Sequence, residues 1–342
     1  MASPQPTTLP IVAIAGATGH LGKHVASAFL TSNLRNRFSE IILLSRQGSH
    51  HNTTPPTDLL DDSPKLTIRT YTEDSIPSIT RALQGATILI NTIGPSGHSF
   101  KEKLLHAIPQ SSIQVYFPSE FGVNHYVHDF PHREWDAKKK HMALAEQLLL
   151  LNTQDPSPKK VKICRVFCGL FLEDSIGPWF GFDTKRGRYE CVGSSSSSSE
   201  VKVSFTSLGD VGRCVAALAS LGRDEVPEVV HVAGDSRSVK EIAEVMGEFG
   251  GGEIDVVEIG LEGYKREVLE GMKESWDPAP FLRFLMGEGK IMHTARDGGG
   301  LGVDRELVNP GERLWKWETL RDLARREAGR PWGDYVWPPM KQ

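Results

Sequence analysis

The chain predicts an α/β fold, a doubly wound parallel sheet followed by a smaller C-terminal subdomain. Three observations lead there. Short apolar runs alternate with amphipathic stretches through the first half. The first run, Ile11–Ala15, breaks directly into the glycine turn Gly16-Ala-Thr-Gly-His-Leu-Gly22. Strand and helix signals return in the second half after a stretch rich in glycine and aromatics. At 342 residues the chain has room for one large domain or two closely joined halves.

The elements read in order. A strand at 11–15 leads through the turn into a helix over 21–30, and strands follow at 40–45, 66–71, 86–93 and 113–117. Helices over 76–83 and 100–108 separate the later strands, and a long helix over 135–151 precedes a strand at 161–167. Further strands are expected at 201–205 and 229–233, helices at 210–221 and 239–249, and a C-terminal helix at 315–327. The serines at 194–199 read as a solvated loop. Trp315, Trp317, Trp332 and Trp337 read as staples that hold the C-terminal segment to the body. Residues 8–165 are expected to form the nucleotide-binding core, completed by 201–235, with 166–200 and 236–342 forming the other subdomain.

Each glycine of the turn has a physical task. Gly16 lets the chain leave the strand tightly, Gly19 lets backbone approach a pyrophosphate, and Gly22 lets the helix pack close to the sheet. Free N–H groups at the helix start then face phosphate oxygens. In such folds the end of the second strand separates the two nicotinamide dinucleotides. Ser45-Arg46 stands there with no acid before Asp58, so a guanidinium is available for a 2′-phosphate and NADP(H) is expected. His50 and His51 are candidates to add to that pocket, or are solvated loop residues.

Composition narrows the partners. A net charge of −4 gives no sign of a nucleic-acid or anionic-membrane surface. No apolar run reaches the ~18 residues a membrane span needs, and the short Pro/Thr-rich start lacks a signal-peptide pattern, so a cytoplasmic protein is expected. Cys164, Cys168, Cys191 and Cys214 follow no metal or redox spacing and read as free thiols. His125, His128, His132 and His141 tempt a metal assignment, but Pro131 interrupts any helix joining them, and no metal is expected.

Together, Gly16-Ala-Thr-Gly-His-Leu-Gly22, Leu44-Ser-Arg46, Asn91-Thr-Ile-Gly94 and Phe117-Pro-Ser-Glu-Phe-Gly122 resemble the isoflavone reductase-like, or NmrA-like, branch of the atypical short-chain dehydrogenases. Downstream, Asn309-Pro-Gly311, Trp315 and Gly329-Arg-Pro-Trp332 look most like fungal members. The resemblance implies a Rossmann-type sheet with a substrate-binding C-terminal subdomain. It also implies an NADPH-dependent reductase of an aromatic or conjugated metabolite, in a monomer or homodimer. Its alternative is a sensor that binds NADP(H) without turnover. The implied cofactor contacts are Gly16, Thr18, Gly19, His20, Leu21, Gly22, Arg46, Asn91, Gly94, Pro118, Ser119 and Glu120. Glu120 reads as structural rather than as a general base.

Short-chain dehydrogenases commonly use Tyr-x-x-x-Lys, which is absent, since Tyr116, Tyr126 and Tyr189 are followed four residues later by Glu120, Phe130 and Gly193. The resemblance instead places a lysine on the helix after the Pro-Ser-Glu-Phe-Gly loop. Aligning Trp135 and Glu146 assigns it to Lys138, with Lys139 and Lys140 about 100° apart on the same helix. His141 and Met142 depart from the family pattern. His125 and Tyr126 are candidates to face substrate, and Gly169, Phe171, Trp179 and Phe180 to wall a flat aromatic ligand, with core packing an equal alternative for Phe171.

Overall fold

The computed structural model describes residues 9–31, 33–48, 65–150, 161–193, 200–272 and 274–336. His50, His51, Asp58, the serines 194–199 and Trp337 lie outside them. Six strands make the main sheet: β1 (Ile11–Ala15), β2 (Glu40–Arg46), β3 (Lys65–Tyr71), β4 (Ile88–Asn91), β5 (Val115–Phe117) and β6 (Lys162–Ile163). All pair in parallel, in the order β3-β2-β1-β4-β5-β6.

Period-two alternation splits the core between two faces. Val12 and Ile14 of β1 point into a cluster with Phe29, Ile41 and Val211, while Ala13 and Ala15 join Ile42, Leu89, Leu104 and Met142 on the other face. Helices α1 (Gly22–Thr31), α2 (Ile76–Ala82), α3 (His98–Ala107) and α4 (Arg133–Leu149) connect these strands. The edge strand β3 mixes polar with apolar residues, and two of the polar ones, Thr67 and Arg69, bond Glu40 on the neighbouring β2.

The run at 161–167 does not form one uniform strand. Its first half, β6, lies on β5, and beyond Cys164 its second half, β7 (Arg165–Phe167), pairs with β12 (Val229–His231). The intervening strands are β8 (Leu170–Phe171), β9 (Phe182–Asp183), β10 (Arg188–Gly193) and β11 (Lys202–Thr206). Beyond β12 come β13 (Asp235–Ser238) and β14 (Asp255–Gly260). The short α5 (Leu172–Ser175) precedes α6 (Leu208–Ala219), which packs on α1. A Cβ on Gly212 would sit 2.5 Å from the His24 carbonyl oxygen, so the two helices approach through backbone.

A second body is built on β10, which lies between β9 and β14. Phe182, Tyr189, Met246, Phe281, Phe284 and Leu320 fill its core. Helices α7 (Val239–Met246), α8 (Leu261–Gly271), α9 (Ala279–Gly287), α10 (Arg305–Val308) and α11 (Leu320–Arg326) complete the order. The helix expected over 315–327 begins only at Leu320. Thr319 and Asp322 form a reciprocal cap that fixes that start, while Trp317 is buried in the main core and the Trp315 ring meets it edge-to-face with centroids 5.3 Å apart. Among the described residues no helix is long and apolar enough to cross a membrane.

Candidate functional site

The chain leaves β1 at Gly16 with φ +84°, a left-handed conformation that favours glycine. Gly19 N donates to Gly16 O at 2.9 Å, closing the turn. A Cβ on Gly22 would lie 1.9 Å from Gly16 O, so the start of α1 packs against the turn only because no side chain is there. Thr92 Oγ1 donates to Ala15 O at 2.8 Å and ties the end of β4 to the end of β1. Between them opens a cleft of about 370 Å³ lined by Gly16, Thr18, Gly19, Arg46 and Gly94, all expected from the sequence.

Other lining residues went unpredicted, among them Tyr71, Glu73, Ser96, Gly97 and Phe100. Tyr71 and Phe100 stack with ring centroids 4.6 Å apart and build one apolar wall. Their positions, the end of β3 and the helix after β4, were the available signal, because ligands collect at the carboxyl ends of parallel strands. Arg46 is largely exposed at the rim, and its Nη1 lies 3.1 Å from Glu73 Oε2.

Asn91, fully buried, accepts from Ile93 N at 3.1 Å through Oδ1 and donates from Nδ2 to the Tyr116 hydroxyl at 3.0 Å. Tyr116 Oη lies 2.9 Å from His141 Nε2. This chain of contacts joins the cleft floor to α4 one turn beyond Lys138. Burial pushes His141 down to about 4, so its ring is neutral at pH 7. Ser119 Oγ donates to Ile93 O at 2.9 Å, and Pro118 beside it is buried. Neither Asn91 nor Pro118 lines the cleft; both brace its floor.

Lys138 lies on the buried side of α4, 15% exposed, with Nζ 3.6 Å from Glu134 Oε1 one turn earlier. Lys139 is more open and sits 4.0 Å from Asp136, and Lys140 is exposed. Helical rotation therefore selects Lys138 as the inward lysine. Glu120 is 2% exposed, and burial raises its carboxyl above the usual range against the pull of Lys138, Arg165 and Lys101. The Tyr126 hydroxyl donates to Glu120 Oε1 at 3.2 Å. Glu120 Oε2 has no aligned donor, although His125 Nε2 stands 3.4 Å away. Burial, reinforced by Lys138 and Lys139, drives His125 down to about 2 and keeps it neutral. Arg165 covers the Tyr126 ring at 5.1 Å.

The remaining expected residues are dispersed. His20, at the outer side of the glycine turn, pairs through Nε2 with Asp174 Oδ2 at 2.6 Å and thereby reaches α5. Leu21 packs on the main core. Gly169 (φ +67°) lets β8 approach β11, since a Cβ there would meet Ser204 O at 2.2 Å. Phe171 packs against the main core and Phe180 is buried in the second. Trp179 lines a separate cavity of about 330 Å³ with Tyr264 and Arg283, which shares no lining residue with the glycine cleft. Among the described residues no group of histidine, cysteine and carboxylate side chains is arranged to hold a metal, and all four cysteines are buried thiols.

A family model, that of the NmrA-like family, matches residues 10–277, a span that includes the glycine turn and the helix carrying Lys138. The chain belongs to the NmrA-like family. Solved structures share its fold at low identity. An isoflavone reductase superposes with TM-score 0.69 at 17% identity, covering 93% of this chain and 99% of that one. Leucoanthocyanidin reductase from Vitis vinifera, solved as a ternary complex, gives TM-score 0.67 at 17% identity with 93% and 99% covered. AtPrR2, solved with NADP+ and (+)-pinoresinol, gives TM-score 0.67 at 13% identity with 94% and 99% covered. No curated protein matches this sequence.

Proposed function

We propose that this NmrA-like protein is an NADPH-dependent reductase of an aromatic or conjugated acceptor. The observation that carries the reading is the glycine cleft: Gly16 and Gly19 line it with backbone, Gly22 lets the start of α1 close against the turn, and the Arg46 guanidinium stands at the rim where a 2′-phosphate would lie. The family membership and the NADPH and NADP+ complexes among the solved structures support it.

The turn and the start of α1 would hold the pyrophosphate, Arg46 the 2′-phosphate, and Tyr71 with Phe100 an apolar face of the nucleotide. When bound, the reduced nicotinamide supplies the hydride. The chain's own residues orient and protonate. Lys138, anchored by Glu134, presents an ammonium beside Glu120, where negative charge developing on an acceptor oxygen would be stabilised and protonated. Of the two residues expected to face substrate, His125 is neutral and fully buried behind the Tyr126 ring, so only the partly exposed Tyr126 is placed to offer the acceptor a polar contact. Residues 8–165 with 201–235 make the nucleotide side in this reading, and 166–200 with 236–342 contribute the acceptor side.

The test follows NADPH oxidation against isoflavones, quinones and conjugated aldehydes in the wild type and in Lys138→Ala. Turnover that disappears in the variant while nucleotide binding persists supports the reading. Tight NADPH binding with no turnover on any acceptor replaces the enzyme with a nucleotide sensor.

A further inference from the structure

The proposed chemistry leaves Lys101 unused, although it is a lysine only 3% exposed. It follows Phe100, which lines the cleft. Helical spacing puts His98 and Lys101 on one face of α3, and Glu134 and Lys138 on one face of α4, and the two helices pack together. Among the described residues Lys138 has Glu134 as its ion partner, whereas no carboxylate forms an ion pair with Lys101.

The charged and titratable groups around Lys101 come from three elements: His98 on its own helix, Glu134, Lys138 and His141 on α4, and Glu120 on the loop after β5. Burial first, and the Lys138 ammonium second, lower Lys101 to about 8, with Glu134 and Glu120 pulling the other way. An unpaired ammonium in such a place is expensive, and a pure packing role would be served better by methionine or leucine. Two ammonium groups so placed repel, and a proton leaving either one relieves the repulsion. A neighbouring cation is a known way to make a lysine surrender its proton.

We propose that Lys101 is a positioning residue for the reduction, a buried charge behind Lys138 that drives the Lys138 proton toward the acceptor and sets the alkaline limit of turnover. This rests on the reductase reading above. In the step served, the acceptor carbon gains a hydride, and with it two electrons, from the reduced nicotinamide dinucleotide, which is oxidised. The acceptor oxygen gains a proton as an N–H bond of the Lys138 ammonium breaks and an O–H bond forms. The Lys138 amine then recovers a proton from solvent. Once Lys101 is neutral, the repulsion that favours the transfer is gone.

The experiment combines two readouts on the full chain. The first is an NMR pH titration of the ¹³C-methylated lysines without nucleotide. The second is kcat and KM against pH for wild type, Lys101→Met and Lys101→Arg. The expected result is one lysine titrating near 8, absent in Lys101→Met, whose kcat falls about tenfold with KM held and whose alkaline limb near 8 disappears. Lys101→Arg restores kcat and moves the limb above about 10. Lys101→Met should also melt higher than wild type, because it removes a buried unpaired charge. If it fails to fold, the role is overturned as structural, unless Lys101→Gln folds with the same loss of the limb. A wild type in which every lysine titrates near its ordinary value overturns the proposal, as does a Lys101→Met profile identical to wild type. Absence of NADPH binding in wild-type calorimetry refutes the reductase reading itself. Intact binding with an unchanged Lys101→Met profile refutes only the role of Lys101.

Discussion

Glu73 Oε2 stands 3.1 Å from Arg46 Nη1 at the rim of the glycine cleft, so the guanidinium expected to take a 2′-phosphate already holds a carboxylate. The pair is half open to water and is worth little by itself. An incoming phosphate must nevertheless displace or share that guanidinium while facing the Glu73 charge. Glu73→Gln should therefore tighten NADPH about two- to five-fold, the equivalent of about 0.5–1 kcal/mol, and leave NADH nearly unchanged. Calorimetry with both nucleotides checks it. Weaker NADPH binding in the variant would show Glu73 to be a ligand rather than a competitor.

Gly22 makes the sharpest steric prediction. A Cβ there would fall 1.9 Å from Gly16 O, which is backbone and cannot swing aside. Gly22→Ala should push α1 off the turn and abolish the rise in Tm that NADPH produces in the wild type. Differential scanning fluorimetry with and without nucleotide measures it. A wild-type shift in the variant would contradict the placement of the phosphates.

Tyr116 joins Asn91 to His141 beneath the cleft. Tyr116→Phe removes the hydroxyl and leaves a buried amide and a buried ring nitrogen without it, at a cost of about 1–3 kcal/mol in stability. The same change loosens α4 next to Lys138, so kcat should fall more than KM rises. Urea unfolding and steady-state kinetics on one preparation separate the two effects.

His231 and His293 sit 5.1 Å apart in the body of the protein, and burial lowers both to about 4. Between pH 6.5 and 4 the unfolded chain binds these protons and the folded chain does not, so stability falls as pH falls through that window. Each contributes about 2 kcal/mol of loss by pH 5. His293→Gln should shrink the difference in unfolding free energy between pH 7 and pH 5 by about that amount. An unchanged difference would contradict the buried neutral state.

The sheet is legible in the sequence because strand centres covered on both faces must be apolar, as β1, Ile41–Leu44 of β2 and Ile88–Ile90 of β4 are. So is the glycine turn, where backbone geometry leaves few alternatives to glycine. The sequence is weaker where a run serves two partners: the strand expected at 161–167 splits at Cys164 because its halves lie on different neighbours. The 315–327 helix was overextended because tryptophans read as helical staples when their rings in fact bury an extended segment. Arg46 was legible as a cation at the end of the second strand, but its partner Glu73 comes from beyond the third, and pairing across strands is a tertiary fact. Lys101 escaped notice because a lysine in a helix reads as surface. Only the packing of α3 on α4 shows it to be inside.

The most direct test of the central claim is a calorimetric titration of the wild-type chain with NADPH and with NADH at one ionic strength. The Arg46 cleft predicts tighter binding of NADPH by about 10- to 100-fold, the worth of a charge-assisted phosphate contact. No heat with either nucleotide, or tighter binding of NADH, would contradict the account.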